Sequence, residues 1–222
     1  ITHPWPQTAD RAISSEAVAP ALEFCKKAKS VVLGCGLGTH EETCRFVHEF
    51  VRQIDKPTVI DADGLNCLSV QSEICNLKSE IVLTPHPGEM SRLIGTSIPE
   101  IQSNRLDAAR RAASRFHSVV VLKGARTLIA EPSGRVFINM TGNSGMATAG
   151  TGDVLAGIIG GLLAQGMKRF EAAVCGVYVH GKAGDIAACE LGETGMIAGD
   201  LLDAVPYAIT EVQGGLTCDH CC

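Results

Sequence analysis

The sequence predicts an α/β fold: a mostly parallel sheet flanked by helices, in a single domain over residues 1–222. Three observations predict it. Short β-branched apolar runs alternate along the chain with longer segments of helical periodicity. Apart from Thr58, the strand candidates are apolar at every position, as strands covered on both faces by helices must be. Chemically unusual residues (Gly34, Asp61, Thr84 and Lys123) directly follow four of those strands, and open sheets bind ligands beyond the carboxyl ends of their strands.

Taken in order, Ile1 to Asp10 contains Pro4, Trp5 and Pro6 and reads as extended chain. Val31-Val32-Leu33 is the first strand, stopped by Gly34. Glu41 to Ile54 is helical and ends before Pro57. Thr58-Val59-Ile60 is the second strand, leading into Asp61-Ala62-Asp63. Ile81-Val82-Leu83 is the third, ended by Pro85. Ser97-Ile98-Pro99-Glu100 has the form of a capping box with proline in the first turn. The helix behind it is expected to carry Leu106, Ala109, Ala113 and Phe116 on one buried stripe. Val119 to Leu122 is the fourth strand. Leu128 to Ala130 and Val136 to Ile138 flank Pro132-Ser133-Gly134, a hairpin signature. Further helices are expected from Asp153, from Phe170 and from Gly199.

Composition narrows the function classes. Hydrophobic residues make up 45% and charged residues 19% of 222, so the chain can bury a core and is not disordered. A net charge of −5 and 4% aromatic residues argue against nucleic-acid binding through a basic or stacking face. The longest apolar stretch, Val154 to Ala164, is too short to span a bilayer, and no signal segment opens the chain. No membrane association and a cytoplasmic location are therefore expected. Cys25, Cys35, Cys44, Cys67, Cys75, Cys175 and Cys189 read as small buried hydrophobes. The tail Cys218-Asp219-His220-Cys221-Cys222 reads either as a zinc site, whose closely packed ligands do not easily close a tetrahedron, or as a frayed, reactive or incidental tail, the preferred reading. Residues 216–222 are expected to be a flexible cysteine-rich tail.

Glycine is in excess, 24 of 222 or about 11% against a usual ~7%. Much of it falls in Asn139 to Gly157, NMTGNSGMATAGTGDVLAG. Glycines let successive N–H groups point into one concavity, and a helix starting there adds its positive end. Such a loop suits a phosphate. Asp153 beside it is placed to act as general base for a hydroxyl nucleophile, or to serve simply as an N-cap. Lys123-Gly124-Ala125-Arg126-Thr127 is either a nucleotide-holding turn or a solvated loop. Gly34-Cys35-Gly36-Leu37-Gly38 lacks the spacing of a dinucleotide fingerprint but allows close approach of backbone to a ligand. His86 lies between two prolines, which brace it, and it reads as a ligand contact in preference to a structural or exposed histidine. Asp61, Asp63 and Asn66 are candidates to coordinate magnesium through water, to orient substrate, or to cap the following helix.

GCGLG, DADGLN, TPHPGE, KGART and NMTGNSGMATAGTGDVLAG, in this order, resemble the ADP- or ATP-dependent NAD(P)H-hydrate dehydratases over about Val31 to Ala208. TPHPGE and GNSGMATAGTGD together are the specific part. The resemblance implies a ribokinase-like fold and a metabolite-repair activity. A nucleotide phosphorylates the C6 hydroxyl of hydrated NADH or NADPH, and loss of phosphate restores the dinucleotide. ADP, giving AMP and phosphate, is expected in preference to ATP, with Mg2+ on the nucleotide. By resemblance, Lys123, Gly124, Ala125, Arg126, Thr127, Gly150, Thr151 and Gly152 would bind the nucleotide. Gly36, Gly38, His86, Asn143 and Asp153 would bind the hydrated dinucleotide, and Asp153 would deprotonate its hydroxyl. A homo-oligomer, a tetramer by resemblance, is expected. Cys35 stands where the family usually has proline, and Gly64 where it usually has alanine. Family members also carry a strand–helix region ahead of the segment matched by Ile1 to Gln7, so the chain is expected to be N-terminally incomplete, with an exposed sheet edge. The readings weighed against this one are a ribokinase-like small-molecule kinase and a catalytically silent nucleotide-binding module.

Overall fold

The computed structural model describes residues 2–69 and 80–214. Cys75 and the cysteine-rich tail lie outside the described residues. Among the described residues six strands make one sheet: β1 (Val31–Leu33), β2 (Thr58–Ile60), β3 (Ile81–Leu83), β4 (Val119–Leu122), β5 (Leu128–Ala130) and β6 (Val136–Ile138), in the spatial order β1-β2-β3-β4-β5-β6. The first four are parallel, with Val31 opposite Thr58 and Thr58 opposite Ile81. β5 and β6 are antiparallel to their neighbours and form the expected hairpin.

The helices are α1 (Val18–Cys25), α2 (Glu41–Gln53), α3 (Ala62–Ser69), α4 (Pro87–Ile94), α5 (Ile98–Ser103), α6 (Arg105–Phe116), α7 (Thr151–Ala164), α8 (Arg169–Leu191) and α9 (Ala198–Val212). They cover both faces. Val59, Val82, Val119, Val121 and Ile129 point to one side and pack with Leu155, Ile159 and Val177 of α7 and α8. Ile60, Ile81, Leu83, Val120, Leu122 and Leu128 point to the other and pack with α1 to α6. The strands thus alternate with period two although, Thr58 apart, every position is apolar. Each such side chain contributes about 1.5–3 kcal/mol on burial. The two apolar layers, rather than the short ladders, hold the sheet.

One expectation fails in part. The capping box at Ser97 forms, Ser97 and Glu100 each accepting from the other's backbone. The helix it opens stops at Ser103, however. Asn104 leaves helical geometry (φ −145°, ψ 65°), and its side chain accepts from Asp107 N–H to start α6. That break turns the stripe: Ala109, Ala113 and Phe116 are buried, but Leu106 is exposed. The cysteine reading is corrected as well. Cys44 of α2 and Cys67 of α3 form a disulfide with Cα atoms 4.7 Å apart, and Cys189 is exposed. A partner 23 residues away across a strand leaves no periodic trace in the sequence. Among the described residues no helix is long and apolar enough to cross a membrane.

Candidate active site

Parallel strands deliver their C-terminal ends to one edge of the sheet. Gly34, Asp61, Thr84 and Lys123 emerge there together. β6 runs in the same sense as β4, so the loop beginning at Asn139 emerges there too.

An ion pair lies at the centre. Lys123 Nζ is 2.6 Å from Asp61 Oδ1 and 3.7 Å from Glu89 Oε2. Asp61 and Glu89 are both buried. Removing one partner of a buried pair costs about 3–5 kcal/mol. Gly152 borders this pair: a Cβ there would stand 3.5 Å from both Asp61 Oδ2 and Lys123 Nζ. The first turn of α7 therefore rests against the lysine that ends β4.

The N-cap of α7 is Gly150, at φ +90° and with no side-chain cap. Asp153 is not the cap; it lies inside the first turn, exposed. The first-turn N–H groups of α7 thus lack a capping side chain, and helix starts of this kind suit anions. Carboxylate oxygens of Asp153 and Asp61 and Cys35 Sγ all lie within 4.8 Å of one another. Burial, then the neighbouring Asp153 and Asp61 carboxylates, push the Cys35 thiol up to about 12, so it stays protonated and unreactive.

Other sequence candidates take defined positions. His86 Nδ1 accepts from the N–H groups of Gly88 (2.9 Å) and Glu89 (3.3 Å) and caps α4, with Glu89 Oε2 accepting from His86 N–H. Its Nε2, which then carries the proton, faces Glu89 Oε1 at 3.4 Å. Asp63 accepts from Gly38 N–H (2.9 Å) and Asn66 Nδ2 (3.2 Å), while Asn66 Oδ1 accepts from Arg92 Nε. Asp63 thereby ties the GCGLG loop to α3. Gly64 backs the same loop, since a Cβ there would meet Leu33 O at 2.9 Å and Gly34 Cα at 3.2 Å. In the KGART turn Gly124 (φ +133°) and Arg126 (φ +56°) adopt positive φ, Ala125 and Arg126 are exposed, and Thr127 Oγ1 donates to Gly124 O.

Sequence reasoning missed two supports. Arg105, at the start of α6, donates to the carbonyls of Leu122 (3.1 Å), Lys123 (3.3 Å) and Ala125, clamping the KGART turn from behind. Burial lowers its pKa. The second support is the run VYVHGKAGD in α8. His180 Nε2 lies 2.8 Å from Thr151 O, and Asp185 bonds Gly142 and Asn143. Two glycines, Gly181 and Gly184, inside an otherwise long helix were the available signal. Asn143 uses its whole side chain within the loop: Oδ1 accepts from Gly145 N–H and Nδ2 donates to Asp185.

The family profile described as NAD(P)H-hydrate dehydratase matches residues 1–207. The chain belongs to that family. Among its relatives, the bifunctional NAD(P)H-hydrate repair enzyme Nnr of Moorella thermoacetica is 46% identical over 214 residues, covering 96% of this chain and 40% of that protein. The ADP-dependent (S)-NAD(P)H-hydrate dehydratase of Neisseria meningitidis serogroup B is 45% identical over 181 residues, 79% of this chain and 61% of that one. The chain thus spans less than two thirds of the length of either relative. The crystal structure of the ADP/ATP-dependent NAD(P)H-hydrate dehydratase from Bacillus subtilis, co-crystallised with ATP/Mg2+, superposes with a TM-score of 0.77 at 31% identity, covering 88% of this chain and 70% of that one. The fold is the helix-flanked, ribokinase-like sheet that the dehydratase family resemblance implied.

Proposed function

We propose that this chain carries out nucleotide-dependent dehydration of hydrated NADH or NADPH, with ADP as the favoured phosphoryl donor. Asp153 takes the proton from the C6 hydroxyl as that oxygen attacks the terminal phosphorus. The P–O bond to the nucleotide breaks and AMP leaves. Phosphate, a far better leaving group than hydroxide, then departs from C6 with the electron pair of the C–O bond while a proton leaves the adjacent C5, and the double bond of the dihydronicotinamide ring is restored. The amides of Gly150, Thr151 and Gly152 hold the migrating phosphoryl group. Lys123 adds a positive charge, and the turn from Gly124 to Thr127 takes the rest of the nucleotide. Gly36, Gly38 and His86 face the dinucleotide, and Asn143 contributes by shaping the loop.

One observation carries this reading. An exposed carboxylate lies in an uncapped helix first turn that rests on an ion pair between half-buried Lys123 and buried Asp61. The names of the Neisseria and Bacillus relatives support it. Magnesium fits as an ion brought in on the phosphates, whose charge it would neutralise. Of the nearby carboxylates, Asp61 is engaged by Lys123, and Asp63 by Gly38 and Asn66.

The test is a repair assay. Protein incubated with hydrated NADH and ADP, or ATP, should regenerate dihydronicotinamide absorbance without accumulating a phosphorylated intermediate. A stable phosphorylated product would make the chain a kinase, and nucleotide binding without turnover would make it a silent module.

A further inference from the structure

Residues 139–150 join β6 to α7 with one short 3-10 turn, Ser144–Met146. They have no strand ladder of their own, yet anion binding needs their amides held in one arrangement. Helix α8 lies behind them and touches the loop along its length. The carbonyl of Tyr178 accepts from Thr141 Oγ1 at 3.2 Å. Gly181 lets Thr141 sit against the helix backbone, since a Cβ there would come within 2.1 Å of Thr141 Oγ1. Gly184 makes room for Met146, whose sulfur would be 2.3 Å from a Cβ. Asp185 accepts from Gly142 N–H and from Asn143 Nδ2, both at 3.0 Å. One turn back, His180 Nε2 meets the carbonyl of Thr151 at 2.8 Å. Positions 178, 181 and 185 share one helix face, with 180 and 184 beside them. The contacts therefore form a continuous bed rather than scattered bonds.

We propose that this face of α8 positions the phosphate loop: Asp185 sets the Gly142-Asn143 bend, and His180 sets the first turn of α7, on which Asp153 stands. The inference rests on the phosphoryl-transfer reading above. Burial, with the Lys123 charge adding to it, lowers the His180 pKa to about 4. The neutral ring donates its Nε2 proton to Thr151 O and leaves that carbonyl a fixed anchor. Neither residue needs to touch substrate, so both are positioning residues.

The Asn143–Asp185 pair offers a decisive exchange. Asp185→Asn alone sets an amide donor against the Asn143 amide donor. Asn143→Asp alone sets two carboxylates face to face. The double variant Asn143→Asp/Asp185→Asn preserves the pattern. A carboxylate at 143 accepts from Gly145 N–H and from the amide at 185, whose oxygen accepts from Gly142 N–H. Each single variant is expected to lower kcat about 10- to 100-fold, the scale of a misplacement of about 1 Å, with KM for hydrated NADH little changed. The double variant should return to within about 3-fold of the parent. A purely structural role would lower the thermal midpoint of the single variants and leave kcat of the folded fraction intact. That result, or a double variant no better than the worse single one, would overturn the proposal. If a single variant does not fold, the double variant still decides, because it keeps every bond. ADP affinity by calorimetry reads the loop independently. If the unmodified protein shows no repair, the functional reading fails; loss and restoration of ADP binding across the three variants would still support the α8 bed.

Discussion

Two glycine-rich loops meet at the same end of the sheet and are held in opposite ways. The loop from Gly34 to Gly38 is fixed at its root. Gly34 (φ +126°) is buried so closely against the next strand's exit that a Cβ would lie 1.9 Å from Asp61 O and 2.6 Å from Gly64 N. Beyond that root it is tied by Asp63 to Gly38 N–H, and by the bond from Leu37 N–H to Gly34 O. The loop from 139 to 150 starts from buried Asn139, whose N–H donates to Thr127 O. Its shape is held by side chains and backbone of α8, about forty residues downstream. Gly34 owes its close packing to the exit of β2 and the start of α3, which the sheet brings beside it. A glycine needed for an open anion site depends on supports from elsewhere. The first loop should therefore answer to changes within itself, and the second to changes in a distant helix.

The sharpest break between the loops is chemical. Asp153→Asn should keep ADP affinity and reduce turnover by about 10²- to 10⁴-fold, the usual worth of a general base. Full activity in a steady-state repair assay would remove the second loop from the chemistry. Next, Gly34→Ala should cost about 4 kcal/mol or more in unfolding free energy, since the clash is with backbone and φ is positive. A chemical-denaturation midpoint near that of the parent would show the root to be yielding.

Acid offers a third distinction. An unfolded histidine titrates near 6.5, whereas the folded His180 is lowered to about 4. Between those values the unfolded chain holds a proton that the folded chain refuses, so stability must fall as pH drops from about 6.5 towards 4. The full loss attributable to this ring is on the order of 3 kcal/mol. His180→Gln, which keeps a donor for Thr151 O, should flatten that part of a plot of thermal midpoint against pH. An unchanged slope would place the titration elsewhere. The smallest effect is expected at Gly36. Its φ is +67°, but nothing lies within 4 Å of an added Cβ, so Gly36→Ala should cost only about 1 kcal/mol of backbone strain. A loss as large as that at Gly34 would mean the tip is packed as tightly as the root.

All six strands lie where the residue pattern placed them, and the hairpin turn at Pro132-Ser133-Gly134 was as plain. Such features are local: a buried run of branched side chains, or a proline and a glycine at fixed offsets, constrains its own backbone. The glycine-rich loop before α7 and the place of Asp153 in that helix's first turn were legible for the same reason, since a glycine cluster and a helix start are contiguous in the chain. The break at Asn104 was less plain, because a polar cap inside an apolar stripe looks like one exposed position of a longer helix.

Taken alone, then, the order of residues determined which segments are strands, which faces are apolar, and which loops are rich in glycine at a strand's exit or a helix's start. Only the tertiary structure decided what each face meets. It brought Lys123 to Asp61, Arg105 behind the KGART turn, Cys44 to Cys67, and the polar stripe of α8 under the glycine loop. The physical reason is that periodicity records how a segment is covered, whereas a partner is chosen by how whole helices dock, and docking depends on the summed fit of two apolar layers.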